Sequence, residues 1–134
     1  MSWYFGAGTL SVGRDGSGVV IASGADYDDS TPGLVALNLE GKELWRAQLP
    51  SDVDEIERVS LDGSKELLIA STEYGGLFVF TPEGVLLNET RVRGSRTSED
   101  LTVFHAKAGQ ERDGTWTITV QTSVADERFA IELP

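Results

Sequence analysis

The sequence contains no cysteine, which excludes disulfide bridges and sites built on thiolates. This absence fits a reducing compartment. The N-terminus lacks the basic start and apolar run of a secretory signal, and no apolar run approaches the roughly 20 residues that span a bilayer. We therefore expect a soluble, cytoplasmic protein without a membrane partner.

Histidine and lysine are also scarce. The one histidine, His105, falls on a predicted strand, and no G-x-S-x-G motif accompanies it, so no serine triad is indicated. Lysine occurs only at positions 42, 65 and 107, against 22 acidic residues and a net charge of −11. A surface this acidic repels nucleic acid. Acid-rich, lysine-poor chains resemble proteins of salt-loving microbes, and a genome that favours arginine is the alternative explanation.

What the chain does contain is an internal repeat. The 134 residues, 40% of them hydrophobic, suffice for one domain with a core, which we take as residues 1–134. Residues 19–23 match 67–71, and residues 33–37 match 76–80. The spacing between these matches changes within the longer loop 25–32, where a shared scaffold tolerates an insertion.

A third copy matches the second without a gap. Asp62-Gly63-Ser64 falls on Asp113-Gly114-Thr115, and the strand pattern that follows is shared. The units are about 1–50, 51–96 and 97–134. We expect the repeated apolar positions to be core residues: Ile69, Phe78, Phe80, Val120, Phe129 and Ile131.

Each unit is predicted as short strands joined by Asp-Gly and Pro-x-Gly turns, so the fold is all-β. Residues 52–59 could form a short helix, but we favour a loop leading into a strand. Several strands are continuously apolar, which predicts burial on both faces. The predicted strands are 3–12, 18–24, 33–39 and 43–49; 55–61, 66–72, 76–81 and 85–92; and 100–107, 115–122 and 127–133, the third unit ending after its third strand.

The pattern in residues 60–64 and 69–71, followed by an aromatic strand and a glycine turn, resembles the blades of PQQ-like and WD40-like β-propellers. Residues 36–45, which end in Trp45, resemble the tryptophan-docking signature of the quinoprotein type, although Asn38 stands where that signature usually has aspartate. Asn88 occupies the tryptophan position of the second unit. No residues match a PQQ site, so no cofactor is expected.

The resemblance implies three tandem four-stranded blades, whereas propellers close with about four to eight. Exposed blade faces would be apolar, which favours a homo-oligomer, and two copies would supply six blades. Residues 2–5 could complete the third unit of the same chain or of a neighbour, or could begin the first strand. The alternative is a chain that closes on itself as a sandwich or barrel.

The sequence assigns no catalytic, metal or cofactor residue. The loop Asp26–Asp29 offers oxygens that suit Ca²⁺, or it is a solvated acidic loop. The favoured hypothesis is a non-enzymatic interaction or scaffold module that self-associates. The alternatives are a β protein that binds a carbohydrate or small ligand through Trp3, Trp45 or Trp116, and a hydrolase with its site at a subunit interface.

Overall fold

The computed structural model describes residues 10–12, 18–24, 29–61, 65–94 and 103–133. This part of the chain forms β-strands and one 3-10 turn, Glu73–Gly75, so the all-β prediction is confirmed. The strands are β1 (Leu10–Val12), β2 (Gly18–Gly24), β3 (Asp29–Asn38), β4 (Glu43–Gln48), β5 (Val53–Ser60), β6 (Glu66–Thr72), β7 (Gly76–Phe80), β8 (Leu86–Arg91), β9 (Val103–Gln110), β10 (Trp116–Thr122) and β11 (Asp126–Ile131).

The strands form three antiparallel sheets, each a meander of consecutive strands. Sheet 1 contains β1 to β4, sheet 2 contains β5 to β8, and sheet 3 contains β9 to β11. Each sheet comes from one predicted repeat unit. Among the described residues sheet 3 has three strands, in agreement with the sequence prediction.

Sheet 2 lies between the other two sheets and is buried on both faces. Leu68 and Ala70 of β6 pack with Leu34 of sheet 1, whereas Leu67 and Ile69 pack with sheet 3. Alternate residues of a strand point to opposite faces, which explains why β6 and β7 read as continuous apolar runs. The predicted core residues Ile69, Phe78, Phe80, Val120 and Ile131 are buried, and Phe129 is half-buried against the same core.

The first strand of sheet 2 joins the three sheets. β5 contacts β1, β2 and β3 of sheet 1 on one side and β9 of sheet 3 on the other. Residues 53–59 belong to β5, so the helix alternative is wrong, and the strand begins two residues before the predicted 55. No helix in the described ranges has the length and hydropathy to cross a bilayer.

The hairpins β3–β4 and β7–β8 repeat each other closely. A β-bulge shifts the strand register between Ala36 and Leu37 in the first hairpin, and between Val79 and Phe80 in the second. Bulges increase local twist and are typical features of sheet edges. The same irregularity at the same place supports the match of residues 33–37 with 76–80.

The other two sequence alignments are wrong by small shifts. Val20 pairs with Ala36, and Ile69 pairs with Val79, so Val20 is the equivalent of Ile69 and the match of 19–23 with 67–71 is displaced by one residue. A gapless match of units two and three would pair Val120 with residue 130. Val120 instead pairs with Glu127.

The largest differences in strand boundaries concern β3 and β9. β3 begins at Asp29, so part of the predicted insertion loop continues the strand, and β9 continues to Gln110 instead of ending at 107. Leu49 N–H donates to Pro32 C=O at 2.9 Å, which ties this extension to the end of β4. The predictions for residues 2–5 and for the turns at 15–16 and 62–63 lie outside the described residues.

Candidate functional site

The joint between sheets 1 and 2 is built around Trp45 of β4. Its indole Nε1 donates to Pro82 C=O at 2.9 Å, and its ring stacks on Phe80 with a centroid distance of 6.2 Å. An indole that is partly buried needs a partner for its N–H, and the turn after β7 supplies it. Trp45 therefore docks sheet 1 onto sheet 2.

The turn that receives Trp45 contains Gly84. Gly84 has φ +93°, and a Cβ atom placed there would lie 2.6 Å from Cδ2 of Trp45. Gly41 occupies the same place in the β3–β4 turn and has φ +85°. A Cβ atom placed at Gly41 would have no neighbouring heavy atom within 4 Å. The two turns have the same backbone, but only the second is in contact with an aromatic ring.

Large apolar side chains are exposed beside this joint. Leu44 precedes Trp45 in β4, Val85 and Leu86 follow Gly84, and Leu39 lies in the β3–β4 turn. They are between 48% and 74% exposed and are the large hydrophobic side chains that the described part leaves exposed. We refer to Leu39, Leu44, Val85 and Leu86 as the apolar rim. Large apolar side chains that stay exposed at the ends of hairpins are candidates for an interaction surface.

The joint between sheets 2 and 3 uses polar contacts instead. Glu127 of β11 is buried, and its Oε2 accepts the backbone N–H and the Nε–H of Arg93, both at 3.0 Å. Arg93 also donates to the carbonyl of Asp126 at 2.9 Å. Burial would raise the pKa of Glu127, but the hydrogen bonds and charge of Arg93 lower it below the ordinary value. An ion pair thus links the segment that follows β8 to the start of β11.

A carboxylate pair lies at the same joint. Glu55 Oε2 accepts the backbone N–H of Val103 at 2.9 Å, linking β5 to β9. Burial, followed by the hydrogen bond and charge of neighbouring Glu55, raises the pKa of Glu57 to about 7. Two carboxyl groups that share a proton could serve acid–base chemistry, but no other catalytic group among the described residues accompanies them.

The outer face of sheet 3 is polar, which corrects the expectation that an open blade face would be apolar. His105, Lys107 and Arg128 are exposed there, and Thr117 and Thr119 are half-buried. Arg128 pairs with Glu111 at 2.8 Å. The described large apolar side chains of sheet 3 pack against sheet 2, so this face does not drive association by the hydrophobic effect.

The far edge of β11 has backbone groups that no described strand uses. Thr122 N–H donates to Ala125 C=O at the hairpin turn, and hydrogen-bonded pairs alternate along an antiparallel ladder. Phe129 therefore faces β10, whereas the N–H and C=O groups of Arg128 and Ala130 face away. β11 pairs with β10 alone within the described ranges.

A cleft of about 720 Å³ adjoins the end of this edge. Trp116, Ile131 and Leu133 supply its apolar wall, and Asp113 and Glu132 supply carboxylates. The backbone N–H of Thr115 donates to Asp113 Oδ1 at 2.9 Å, and this bond lowers the pKa of Asp113. The cleft is thus apolar on one side and negatively charged on the other.

The residues that the sequence singled out do not form one site. Trp45 is held in the contact between sheets 1 and 2, and His105 is exposed on β9. Trp3 and residues 26–28 of the candidate calcium loop lie outside the described residues. Within the described ranges no group of three histidine or acidic side chains could hold a metal ion.

Sequence reasoning missed the cleft and the Arg93–Glu127 pair. It did indicate that unit three ends after its third strand, and within the described ranges that strand, β11, has no partner on its outer side. Comparison with known proteins finds no matching family and no significant similarity to a curated protein.

Proposed function

We propose that the protein is a non-enzymatic interaction module of the β-propeller type that self-associates as a homodimer. The observation that carries the proposal is the pair of joints between successive meanders. In both joints the first strand of one sheet contacts the first strand of the next sheet. In the first joint Trp45 also docks on the turn that follows β7. The blades of a propeller are four-stranded meanders that follow one another around a central channel.

The chemistry of the described residues favours binding over catalysis. The histidine is exposed, and Glu55 and Glu57 are tied to the joint between sheets 2 and 3. Sugar binding through Trp45 would need an accessible aromatic face, whereas the Trp45 ring is stacked on Phe80. Because catalytic groups are not assembled here, the surfaces are where function is expected.

The apolar rim is the surface on which we expect a second copy. The rim combines four exposed large side chains beside a rigid joint, and their burial is worth about 25 cal/mol per Å². A twofold axis would place the rim of one chain on the rim of the other. Salt should strengthen the dimer, because each chain carries a net charge of −11.

Multi-angle light scattering at low micromolar concentration and about 0.5 M NaCl tests the proposal, since the Debye length is then short. We expect twice the mass of the chain for the wild type and one chain mass for Leu44→Glu or Leu86→Glu. Gln121→Glu, an exposed change on the outer face of sheet 3, is the matched control and should remain dimeric. A well-folded monomer for the wild type under these conditions would contradict self-association.

A further inference from the structure

The edge of β11 is the place where sheet 3 differs from its neighbours. In sheet 2 the corresponding third strand, β7, is covered by β8, and Val92 N–H donates to Gly75 C=O at the start of that ladder. By alternation, the backbone groups of Leu77 and Val79 point to β8. On β11 the backbone N–H and C=O groups of Arg128 and Ala130 point outward in the same way, and no described strand pairs with them.

This edge also lacks the protection that the other outer edges carry. β4 and β8 are each interrupted by a bulge where they pair with their neighbours. β11 keeps a continuous register with β10 from Asp126 to Ile131. Bulges discourage the addition of a further strand, and a regular edge accepts one.

The residues around the edge of β11 indicate which kind of side chain a bound peptide should carry. Arg93 donates a hydrogen bond to the carbonyl of Asp126, so this acceptor is already occupied at the start of the β11 edge. At the other end the cleft offers the ring of Trp116 and the carboxylates of Asp113 and Glu132. An aromatic ring with nearby carboxylates suits the aliphatic stem and cationic head of arginine or lysine. The net charge of −11 favours a basic partner over a second acidic chain.

The geometry points to β11 as a docking strand for an extended basic peptide, which adds a fourth strand to sheet 3 and places a basic side chain in the cleft. The inference rests on the proposed interaction function and names one class of partner for it. Main-chain hydrogen bonds to Arg128 and Ala130 supply affinity, and the cleft supplies specificity, as in other cases of strand addition.

Fluorescence anisotropy with a labelled peptide of about eight residues that alternates arginine and valine tests the inference. A second peptide carries glutamate in place of arginine. A third keeps the arginines but is N-methylated at alternate residues, so that it cannot form a ladder while its charge is unchanged. We expect the first to bind and the other two to bind at least about tenfold more weakly, the loss that follows when hydrogen bonds are removed.

Protein variants locate the contact. Ala130→Pro removes an outward N–H, and proline is tolerated at such an edge position. It should weaken binding about tenfold and leave the urea midpoint unchanged. Glu89→Pro on the edge of β8 is the matched control and should bind normally. Glu132→Gln should weaken binding severalfold, whereas Glu83→Gln, an exposed change in the β7–β8 turn, should not.

Equal binding of the N-methylated peptide would show attraction by charge alone and would overturn the inference. A much lower urea midpoint for Ala130→Pro would show that its N–H is already bonded within the chain, with the same consequence. Loss of the wild-type dimer in Ala130→Pro would assign the edge to a second copy instead of a peptide. If the wild type is dimeric but binds no peptide, the inference fails and the proposed function stands.

Discussion

Replacing Gly84 with alanine should separate the contribution of tryptophan docking from that of turn geometry. Gly84 and Gly41 occupy the same position in two matching turns, with φ of +93° and +85°. An alanine at either position adopts an unfavourable left-handed conformation, which costs about 1–2 kcal/mol. Only at Gly84 does the new methyl group also meet the ring of Trp45.

The magnitude of the difference follows from that contact. A Cβ atom at 2.6 Å from Cδ2 of Trp45 cannot be accommodated unless the ring or the turn moves. Overpacking of this kind costs about 1–3 kcal/mol, and displacement of the ring would also weaken the hydrogen bond to Pro82, worth about 1 kcal/mol. We expect Gly41→Ala to destabilise by about 1–2 kcal/mol and Gly84→Ala by about 2–5 kcal/mol.

Urea unfolding of both variants, followed by far-UV circular dichroism, measures the two free energies. A double-mutant cycle with Trp45→Leu gives the coupling, because removal of the ring should abolish the excess effect of Gly84→Ala. Equal destabilisation by Gly41→Ala and Gly84→Ala would refute tryptophan docking as the link between sheets 1 and 2.

Further predictions concern the core, the second joint and the charge of the chain. Ile69→Ala should destabilise by about 2–5 kcal/mol in urea unfolding, and a loss below about 0.5 kcal/mol would contradict its burial. Because the pKa of Glu57 is raised to about 7 in the folded state, its contribution is present below the unfolded value near 4.5 and is lost as the pH rises towards 7. Glu57→Gln should make the free energy of unfolding less dependent on pH in this range, by about 1 kcal/mol or less because solvent screens the partly exposed group. An unchanged pH profile would argue against the carboxylate pair. The pKa of Glu127 is lowered, so its pairing with Arg93 stabilises above the unfolded value and is lost as the pH falls; Glu127→Gln should reduce the acid sensitivity of unfolding. The melting temperature should rise between about 0.05 M and 1 M NaCl, because salt screens the repulsion of the acidic chain, and a flat curve would contradict that.

Much of the secondary structure could be predicted because turn signals are local. Asp113-Gly114 forms the β9–β10 turn with Gly114 at φ +90°, and the Pro82–Gly84 turn closes β7–β8. Trp45 was marked by the resemblance of residues 36–45 to a tryptophan-docking signature, and the structure shows its indole in contact with the turn after β7. Each of these features depends on a few neighbouring residues, which is why the chain pattern reveals them.

Strand register could not be predicted in the same way. β6 is apolar on both faces because sheet 2 has a neighbour on each side, so its pattern lacks the alternation that distinguishes one register from the next. The displaced match of 19–23 with 67–71 therefore still pairs apolar residues at four of its five positions. The pairing of Arg93 with Glu127 and the cleft beside Trp116 arise from contacts between distant segments, and no local pattern marks them.

Hydrogen exchange of individual amides in β11, measured by NMR, tests most directly the claim that the protein presents an open strand for interaction. Phe129 and Ile131 face β10, so their amides should be protected, whereas the amides of Arg128 and Ala130 should exchange nearly as fast as those of exposed turns. Addition of the arginine–valine peptide should slow exchange at Arg128 and Ala130 alone. Equal protection of all four amides in the free protein would mean that the edge is already occupied, and would contradict the claim.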